Sequence, residues 1–141
     1  MFRHILVATD GSRLSRPAIR RGVALAKALG ARLTGVTVVA PYASASAGFS
    51  ALPGYAAALR REARRALASF NAEARAQSVR ATATMVEGGA PWRDILRVAH
   101  ARGCDLVVVG SHGRGGVAGV VLGSETAKLL TRSRIPVLVC R

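Results

Sequence analysis

The sequence predicts an α/β protein, a single doubly wound five-stranded parallel sheet with helices on both faces, of the Rossmann-like type. Strand and helix signals alternate along the 141 residues, as they do in repeated βαβ units. The clearest strand signal, 105–109, ends in a continuous apolar run, which is typical of a strand buried on both faces. The length suits one domain, so residues 1–141 are assigned to a single domain.

Two strand–helix pairs are predicted in the first half of the chain. The first helix can be capped by Ser12 or Ser15, tolerates Pro17 in its first turn and can end at Gly30. The second helix is longer, and its apolar stripe at helical spacing consists of Leu59, Ala63, Leu67, Phe70 and Ala74. The predicted ranges are strand 4–9, helix 15–29, strand 32–40, a mobile loop at 41–54 and helix 55–77.

The second half of the chain supplies three more strands. An alternating pattern predicts a strand at 78–86, and Pro91 and Gly103 frame the helix that follows it. The buried strand 105–109 then leads into a glycine-rich loop, and Ser124 begins a short helix. The remaining predicted ranges are helix 92–102, helix 125–131 and strand 135–139.

The spacing of glycines after strand 105–109 predicts a phosphate site. The chain reads Gly110-Ser111-His112-Gly113, then nine residues, then Gly123-Ser124. Glycine lets backbone N–H groups approach an anion closely, and a helix N-terminus adds unpaired N–H groups and partial positive charge. We therefore expect backbone N–H groups of Gly110, Gly113, Gly123 and Ser124, and the Ser124 hydroxyl, to contact phosphate. Arg114 could add positive charge there or point to solvent.

Three other interpretations of this loop compete with a phosphate site. It could be a flexible lid without a ligand. A P-loop is excluded because no GxxxxGK[ST] motif is present. The run Gly113-Arg114-Gly115-Gly116-Val117-Ala118 formally fits GxGxxA, but the chain ends where a dinucleotide fold would need its acidic residue.

Three motifs in the right order resemble the universal stress protein family. They are the Gly110-x-x-Gly113-(nine residues)-Gly123-Ser124 signature, the opening strand and loop at 5–12, and the closing strand at 135–139. The resemblance implies that ATP binds in this loop, with Ser111 in the same segment. It supports a strand order of 3-2-1-4-5, which would place strands one and four side by side at the topological switch point where ligands bind.

The resemblance also assigns the rest of the nucleotide. Thr9 and Asp10, at the end of the first strand, would lie against the ribose or the metal-bound water. The adenine would lie against the backbone of Val38 or Val39. Mg²⁺ or Mn²⁺ would be held mainly by the phosphates, since no carboxylate pair or His/Cys cluster marks a protein metal site. A homodimer would form through the edge strand 136–140.

Two residues have competing roles. Glu125 departs from the usual family pattern, because a carboxylate beside a triphosphate repels it unless the side chain turns away or meets a metal. In the first turn of a helix, Glu125 would also interact favourably with the helix dipole. Asp10 could simply hold the turn with Gly11 and Ser12. No serine–histidine–acid arrangement supports a catalytic role for His112.

The charge and the cysteines bound the possible partners. The formal net charge is +14, and the cations comprise 19 arginines and 2 lysines. Arginines that solvate helix faces are favoured over attraction to nucleic acid, because the six aromatic residues form no base-stacking pattern. The likeliest nucleic-acid cluster would be Arg60, Arg61, Arg64 and Arg65.

Cys104 and Cys140 suit buried thiols in a reducing compartment. No leader or membrane-spanning run is evident, so we expect a cytoplasmic protein without membrane contact.

The sequence therefore predicts an ATP-binding regulatory module of the stress response, which changes the interactions of an unknown partner protein. It would not be an enzyme, beyond slow ATP hydrolysis at most. Two alternatives remain open, namely a nucleotide-independent interaction module of the same fold and an enzyme of phosphoryl transfer. The enzyme would need a base and a water-positioning group, and neither is visible in the sequence.

Overall fold

The strands form one parallel sheet in the order 3-2-1-4-5, as the sequence predicts. The computed structural model describes residues 1–41, 52–113 and 122–141. The described elements are β1 His4–Ala8, a 3-10 turn Arg13–Ser15, α1 Arg16–Leu29, β2 Arg32–Val39, α2 Tyr55–Ala76, β3 Ala81–Glu87, α3 Pro91–Ala101, β4 Leu106–Gly110, α4 Ser124–Arg132 and β5 Val137–Cys140.

Helices cover both faces of the sheet, and each face has its own core. On the face of α1 and α2, residues such as Ile5, Val7 and Phe70 are fully buried. On the face of α3 and α4, the core includes Leu6, Val107 and Leu129. Successive residues of β1 alternate between these two cores, as a strand buried on both faces requires. This central position fixes where β1 and β4 end, and hence where the site forms.

The first helix begins one residue later than predicted. The residues Arg13–Ser15 form a 3-10 turn, and α1 itself begins at Arg16 with Pro17 in its first turn. It ends as predicted, because Gly30 has a left-handed conformation (φ 61°) and its N–H donates to carbonyls of the last turn.

The long helix and the strand after it differ from the prediction at their junction. Ser78 has a φ of 57°, and its N–H donates to Arg75 O at 3.0 Å, which closes the end of α2. The strand therefore starts at Ala81 and not at residue 78. The buried stripe of α2 is Ala63, Ala66, Phe70 and Ala74, whereas Leu59 and Leu67 are partly exposed.

Two sequence-based statements fall partly outside the described residues. The loop predicted at 41–54 is described only at Pro41 and from Leu52 onward, and Arg114 is not described.

Among the helices that are described, none is both long and apolar enough to span a bilayer. The strand predicted at 136–140 is present as β5, at an edge of the sheet.

Candidate functional site

A cleft of about 550 Å³ opens at the carboxyl ends of β1, β2 and β4. In a parallel sheet, β1 and β4 run side by side while their connections leave in opposite directions, and this divergence opens the crevice. The cleft is lined by nine of the eleven residues predicted from the sequence: Thr9, Asp10, Val38, Val39, Gly110, Gly113, Gly123, Ser124 and Glu125. Of the other two, Ser111 is buried and does not line the cleft, and Arg114 is outside the described residues.

The turn after β1 is held by its own side chains. Asp10 Oδ1 accepts a hydrogen bond from the Ser12 N–H at 2.9 Å, which confirms the turn-holding role considered for this aspartate. Thr9 Oγ1 accepts from the Gly11 N–H at 3.1 Å and pairs with Ser15 Oγ at 2.9 Å. Thr9 is buried and engaged inside the turn, so its side chain serves the loop geometry first.

The direction of the backbone groups at the end of β2 shows which of Val38 and Val39 can hydrogen-bond to an adenine. The Val39 carbonyl accepts the Gly88 N–H at 2.9 Å, on the β3 side of the strand. Val36 instead accepts the Thr9 N–H at 3.0 Å, on the β1 side. In a parallel ladder both backbone groups of one residue point to the same neighbour. Val38 therefore directs its N–H and carbonyl to the side where β1 has already ended. Among the described residues nothing bonds to these two groups, so Val38 is the valine whose main chain can face the cleft.

The loop after β4 is built differently from the prediction. The Gly123 N–H donates to Ser111 O at 2.7 Å, so this donor closes the loop and is not directed at a ligand. Ser111 in turn donates its N–H to Cys140 O at 2.8 Å, and this bond ties the loop to β5. The expectation that the Gly123 N–H contacts phosphate is thus wrong for this conformation, because the backbone of Ser111 already uses it.

The first turn of α4 supplies other donors. Its first helical bond runs from the Ala127 N–H to Gly123 O at 2.9 Å. The N–H groups of Ser124, Glu125 and Thr126 precede that bond, and none of them has a backbone partner among the described residues. The Thr126 hydroxyl donates to Gly110 O at 2.9 Å and fixes the start of α4 against the end of β4. Helix geometry therefore presents a cluster of N–H groups at the cleft.

Glu125 resolves its competing roles by turning towards α3. Its Oε2 accepts the Trp92 N–H in the first turn of α3 at 2.9 Å, and its Oε1 pairs with Lys128 at 3.1 Å. The carboxylate thus caps a neighbouring helix, and its negative charge is balanced away from the loop.

Two glycines lie where the loops around the cleft approach each other closely. A Cβ on Gly110 would lie 2.6 Å from Leu14 O, so this glycine lets the end of β4 pack on the turn after β1. A Cβ on Gly113 would lie 2.8 Å from Asp10 Oδ2, so the two loops meet at this point. Asp10 and Gly113 therefore face each other across the mouth of the cleft.

Several cleft residues were not predicted from the sequence. Tyr55 and Leu59 reach the cleft from the first turns of α2, and Pro91 and Ile95 reach it from α3. The sequence gives little indication that these residues belong to the site, because helices distant in the chain bring them to the cleft. His112 also lines the cleft, and its Nε2 is buried without a hydrogen-bond partner in the described part of the chain. Its other nitrogen lies 3.2 Å from Ser111 Oγ.

The described cleft offers few ligands for a metal. No group of three or more His, Cys, Asp or Glu side chains that could hold an ion occurs in residues 1–41, 52–113 and 122–141. Asp10 is the carboxylate that faces the Gly113 side of the cleft.

The parallel sheet with a cleft at its switch point and the N-terminus of α4 in the cleft wall places the chain among the doubly wound α/β proteins, which bind ligands at the carboxyl ends of their strands. A model of the universal stress protein family matches residues 1–141, and the chain belongs to that family. It is 35% identical over 143 residues to a universal stress protein of Thermus aquaticus, with all of both chains covered.

Two solved structures extend the comparison. The universal stress protein MJ0577 of Methanocaldococcus jannaschii superposes with a TM-score of 0.85 at 24% identity, covering 99% of this chain and 96% of that one. A universal stress protein in complex with cAMP has a TM-score of 0.71 at 29% identity, covering 99% of this chain and 97% of the other.

Proposed function

We propose that this chain is a nucleotide-dependent regulatory module that binds ATP in the cleft between β1 and β4. The observation that carries the proposal is the meeting of the Asp10 turn, the Gly110–Gly113 segment and the α4 N-terminus around one cleft of about 550 Å³. The cAMP complex of a similar protein supports an adenine nucleotide as the ligand class.

Each part of the nucleotide would meet a different part of the cleft. The adenine would lie on the apolar wall of Leu59 and Ile95, with the Val38 backbone as its hydrogen-bond partner. The ribose would lie towards Asp10. The phosphates would accept N–H groups from the first turn of α4, where the helix dipole favours negative charge.

The donor set suits a metal that arrives with the nucleotide. One carboxylate, Asp10, faces this part of the cleft, which fits Mg²⁺ or Mn²⁺ held mainly by phosphate oxygens and water. With one carboxylate on this side of the described cleft and no base paired with a water-positioning group, we expect binding and not catalysis, with slow ATP hydrolysis at most. The readout would be a changed interaction with a partner protein in the cytoplasm, where free thiols such as Cys104 and Cys140 persist.

Calorimetric titration with Mg-ATP tests the proposal, and GTP provides the matched control for the base. We expect ATP to bind with a Kd well below 1 mM, a limit that corresponds to about −4 kcal/mol, and GTP to bind at least tenfold more weakly. Mass spectrometry of the supernatant of denatured protein should also detect co-purified nucleotide. Absence of heat with ATP, from folded protein stripped of nucleotide, would overturn the assignment and favour the nucleotide-independent interaction module.

A mononucleotide such as AMP or cAMP is the second candidate ligand. The observation that favours it is the Gly123 N–H, which bonds to Ser111 O and leaves one donor fewer for a long phosphate chain. In the same titration, AMP or cAMP binding more tightly than ATP would replace ATP as the proposed ligand while leaving the cleft assignment intact.

A further inference from the structure

A second cleft, of about 330 Å³, lies between the start of α1 and the middle of α2. It shares only Ser15 with the cleft described above, so the two open at different places on the molecule. Its lining comprises Gly11, Ser12, Ser15, Arg16, Ile19, Glu62, Arg65, Ala66 and Ser69.

Two arginines from different helices border this second cleft. Arg16 comes from the first turn of α1 and Arg65 from the middle of α2. Neither guanidinium makes a hydrogen bond or an ion pair with any residue that the structure describes. By contrast, carboxylates elsewhere have cationic partners, as in the pairs Arg60–Glu87 and Lys128–Glu125. Guanidinium groups offer planar sets of N–H donors that match phosphate oxygens.

Ser12 adds an unsatisfied polar atom to the same cleft. Its Oγ is buried and has no hydrogen-bond partner among the described residues. Ser12 stands at the N-cap of the 3-10 turn, yet its side chain makes no capping bond, and the first turn carries no acidic residue. A buried hydroxyl without a partner costs stability, so an oxygen-rich ligand that bonds to it would remove that cost.

We propose that this second cleft binds a small phosphate-bearing anion. Two guanidinium groups without a partner among the described residues outnumber the one lining carboxylate, Glu62. Together with the buried hydroxyl they favour an oxyanion over a neutral or cationic ligand. The volume exceeds that of one phosphate group, and Ile19 and Ala66 give the cleft an apolar side. Pyrophosphate or a phosphomonoester therefore fits better than orthophosphate alone. The inference stands whether or not the first cleft binds a nucleotide.

Titration of the full chain with sodium pyrophosphate, followed by amide NMR shifts, tests the proposal. We expect the amides of Arg65 and Ser69 to shift, since neither residue lines the first cleft. The double variant Arg16→Gln/Arg65→Gln should lower pyrophosphate affinity at this site by about tenfold or more. The matched control is Arg20→Gln/Arg61→Gln, which removes the same charge from exposed positions outside the cleft and should change affinity by less than about twofold. Equal losses in the two double variants, or shifts confined to residues around Ser124, would overturn the proposal.

Ser12→Ala separates ligand binding from a purely structural role. If the hydroxyl serves the ligand, the variant should be no less stable than the wild type without ligand, and pyrophosphate should raise its Tm by less. A variant that is less stable without ligand, yet gains as much Tm from pyrophosphate as the wild type, would contradict this role.

The phosphodiester backbone of nucleic acid is another source of the same chemistry. Duplex DNA that displaces pyrophosphate, and that depends on Arg16 and Arg65 but not on Arg20 and Arg61, would overturn the assignment to a small anion. Failure of DNA to displace pyrophosphate supports it.

Discussion

Glu125 shows how one carboxylate can serve the scaffold beside a ligand cleft. Its side chain bridges α4 and α3 through the Trp92 N–H, and Arg93 and Arg132 lie 5.3 and 5.6 Å from the centre of the Trp92 ring. The capping bond satisfies a donor that the N-terminus of α3 cannot satisfy internally. The negative charge therefore stabilises the wall of the cleft.

We expect Glu125→Ala to lower the free energy of unfolding by about 1 kcal/mol, the usual cost of losing a helix-capping bond. Lys128→Ala is the control, because it removes only the exposed partner of the same carboxylate and should cost less than about 0.5 kcal/mol. Urea unfolding followed by the fluorescence of Trp92, the single tryptophan, measures both. Equal losses of unfolding free energy in the two variants would show that the Lys128–Glu125 ion pair, and not the capping bond, provides the stability.

His4, the first residue of β1, and Asp105, just before β4, link stability to pH. Burial, and then the charge of Arg32, lower the pKa of His4 below its ordinary value of 6.5. Burial raises the pKa of Asp105, but hydrogen bonds from the Arg3 and His4 N–H groups outweigh it, so the net shift is downward. Both groups bind protons more readily in the unfolded chain, so both make stability fall as the pH falls.

The two contributions fall in different pH windows. For His4, stability is complete above pH 6.5 and declines from there down to the lowered folded pKa. For Asp105, stability is present above pH 3.8 and is lost as the pH falls through the lowered folded value. We expect His4→Gln to flatten the decline just below pH 6.5 and to leave the acid limb unchanged. Thermal unfolding between pH 2 and pH 8, compared with wild type, tests both parts, and an unchanged slope just below pH 6.5 would contradict the prediction.

At the scale of elements, the loop after β4 depends on where each glycine lies. Gly110 and Gly123 approach backbone atoms, with Cβ positions 2.6 Å from Leu14 O and 3.2 Å from His112 Cα. Side chains at these positions would disturb the loop as well as a ligand. Gly113 instead meets the end of the flexible Asp10 side chain, which can move.

Gly113→Val is therefore the most selective steric test of the nucleotide cleft. We expect it to weaken ATP binding at least tenfold, about 1.4 kcal/mol, because the added methyl groups would occupy the gap between Gly113 and Asp10. Gly89→Val provides the control, since a Cβ there meets no atom within 4 Å and the position lies outside the cleft. Calorimetry that gives unchanged ATP affinity in folded Gly113→Val would refute this placement of the phosphates.

At the scale of the whole molecule, β5 is an edge strand of the described sheet. Val107 N–H donates to Pro136 O and Ser111 N–H to Cys140 O, so those β5 residues face β4. The intervening Val137 and Val139 therefore direct their backbone groups outward. An apolar strand with outward N–H and carbonyl groups tends to pair or be covered.

We predict a homodimer through this edge, and Val139→Pro should shift it to monomer by removing an outward donor. Val139→Ala is the matched control, because it also loses side-chain packing but keeps the N–H. Light scattering at tens of micromolar protein distinguishes the species. A wild type that is already monomeric, or a dimeric Val139→Pro, would contradict the prediction.

The net charge of +14 is the other property of the whole molecule. Arg60 is ion-paired with Glu87, so of the four arginines predicted as a cluster, Arg61, Arg64 and Arg65 remain exposed without such a pair. We expect duplex DNA to bind weakly and without sequence selectivity, with an affinity that falls steeply as salt rises. Binding measured by fluorescence anisotropy between 50 and 200 mM salt tests this, and a sub-micromolar, sequence-selective complex at physiological salt would overturn it.

The sequence by itself determined the architecture and the place of the cleft. The features that predicted them are apolar runs of strand length, helix stops such as Gly30, and the Gly110–Ser124 spacing. All three depend on local sterics and hydrophobic periodicity, so they can be recognised from residues that are close in the sequence. The strand order came from the topology rules together with the family resemblance.

Only the tertiary structure decided the roles of individual groups. The Gly123 N–H bonds to Ser111 O, the Glu125 carboxylate crosses to α3, and Arg16 and Arg65 border one cleft. Each of these contacts joins segments that lie apart in the chain. The physical reason is that a hydrogen-bond partner is set by which groups packing brings within about 3 Å, and sequence spacing carries no information about that distance.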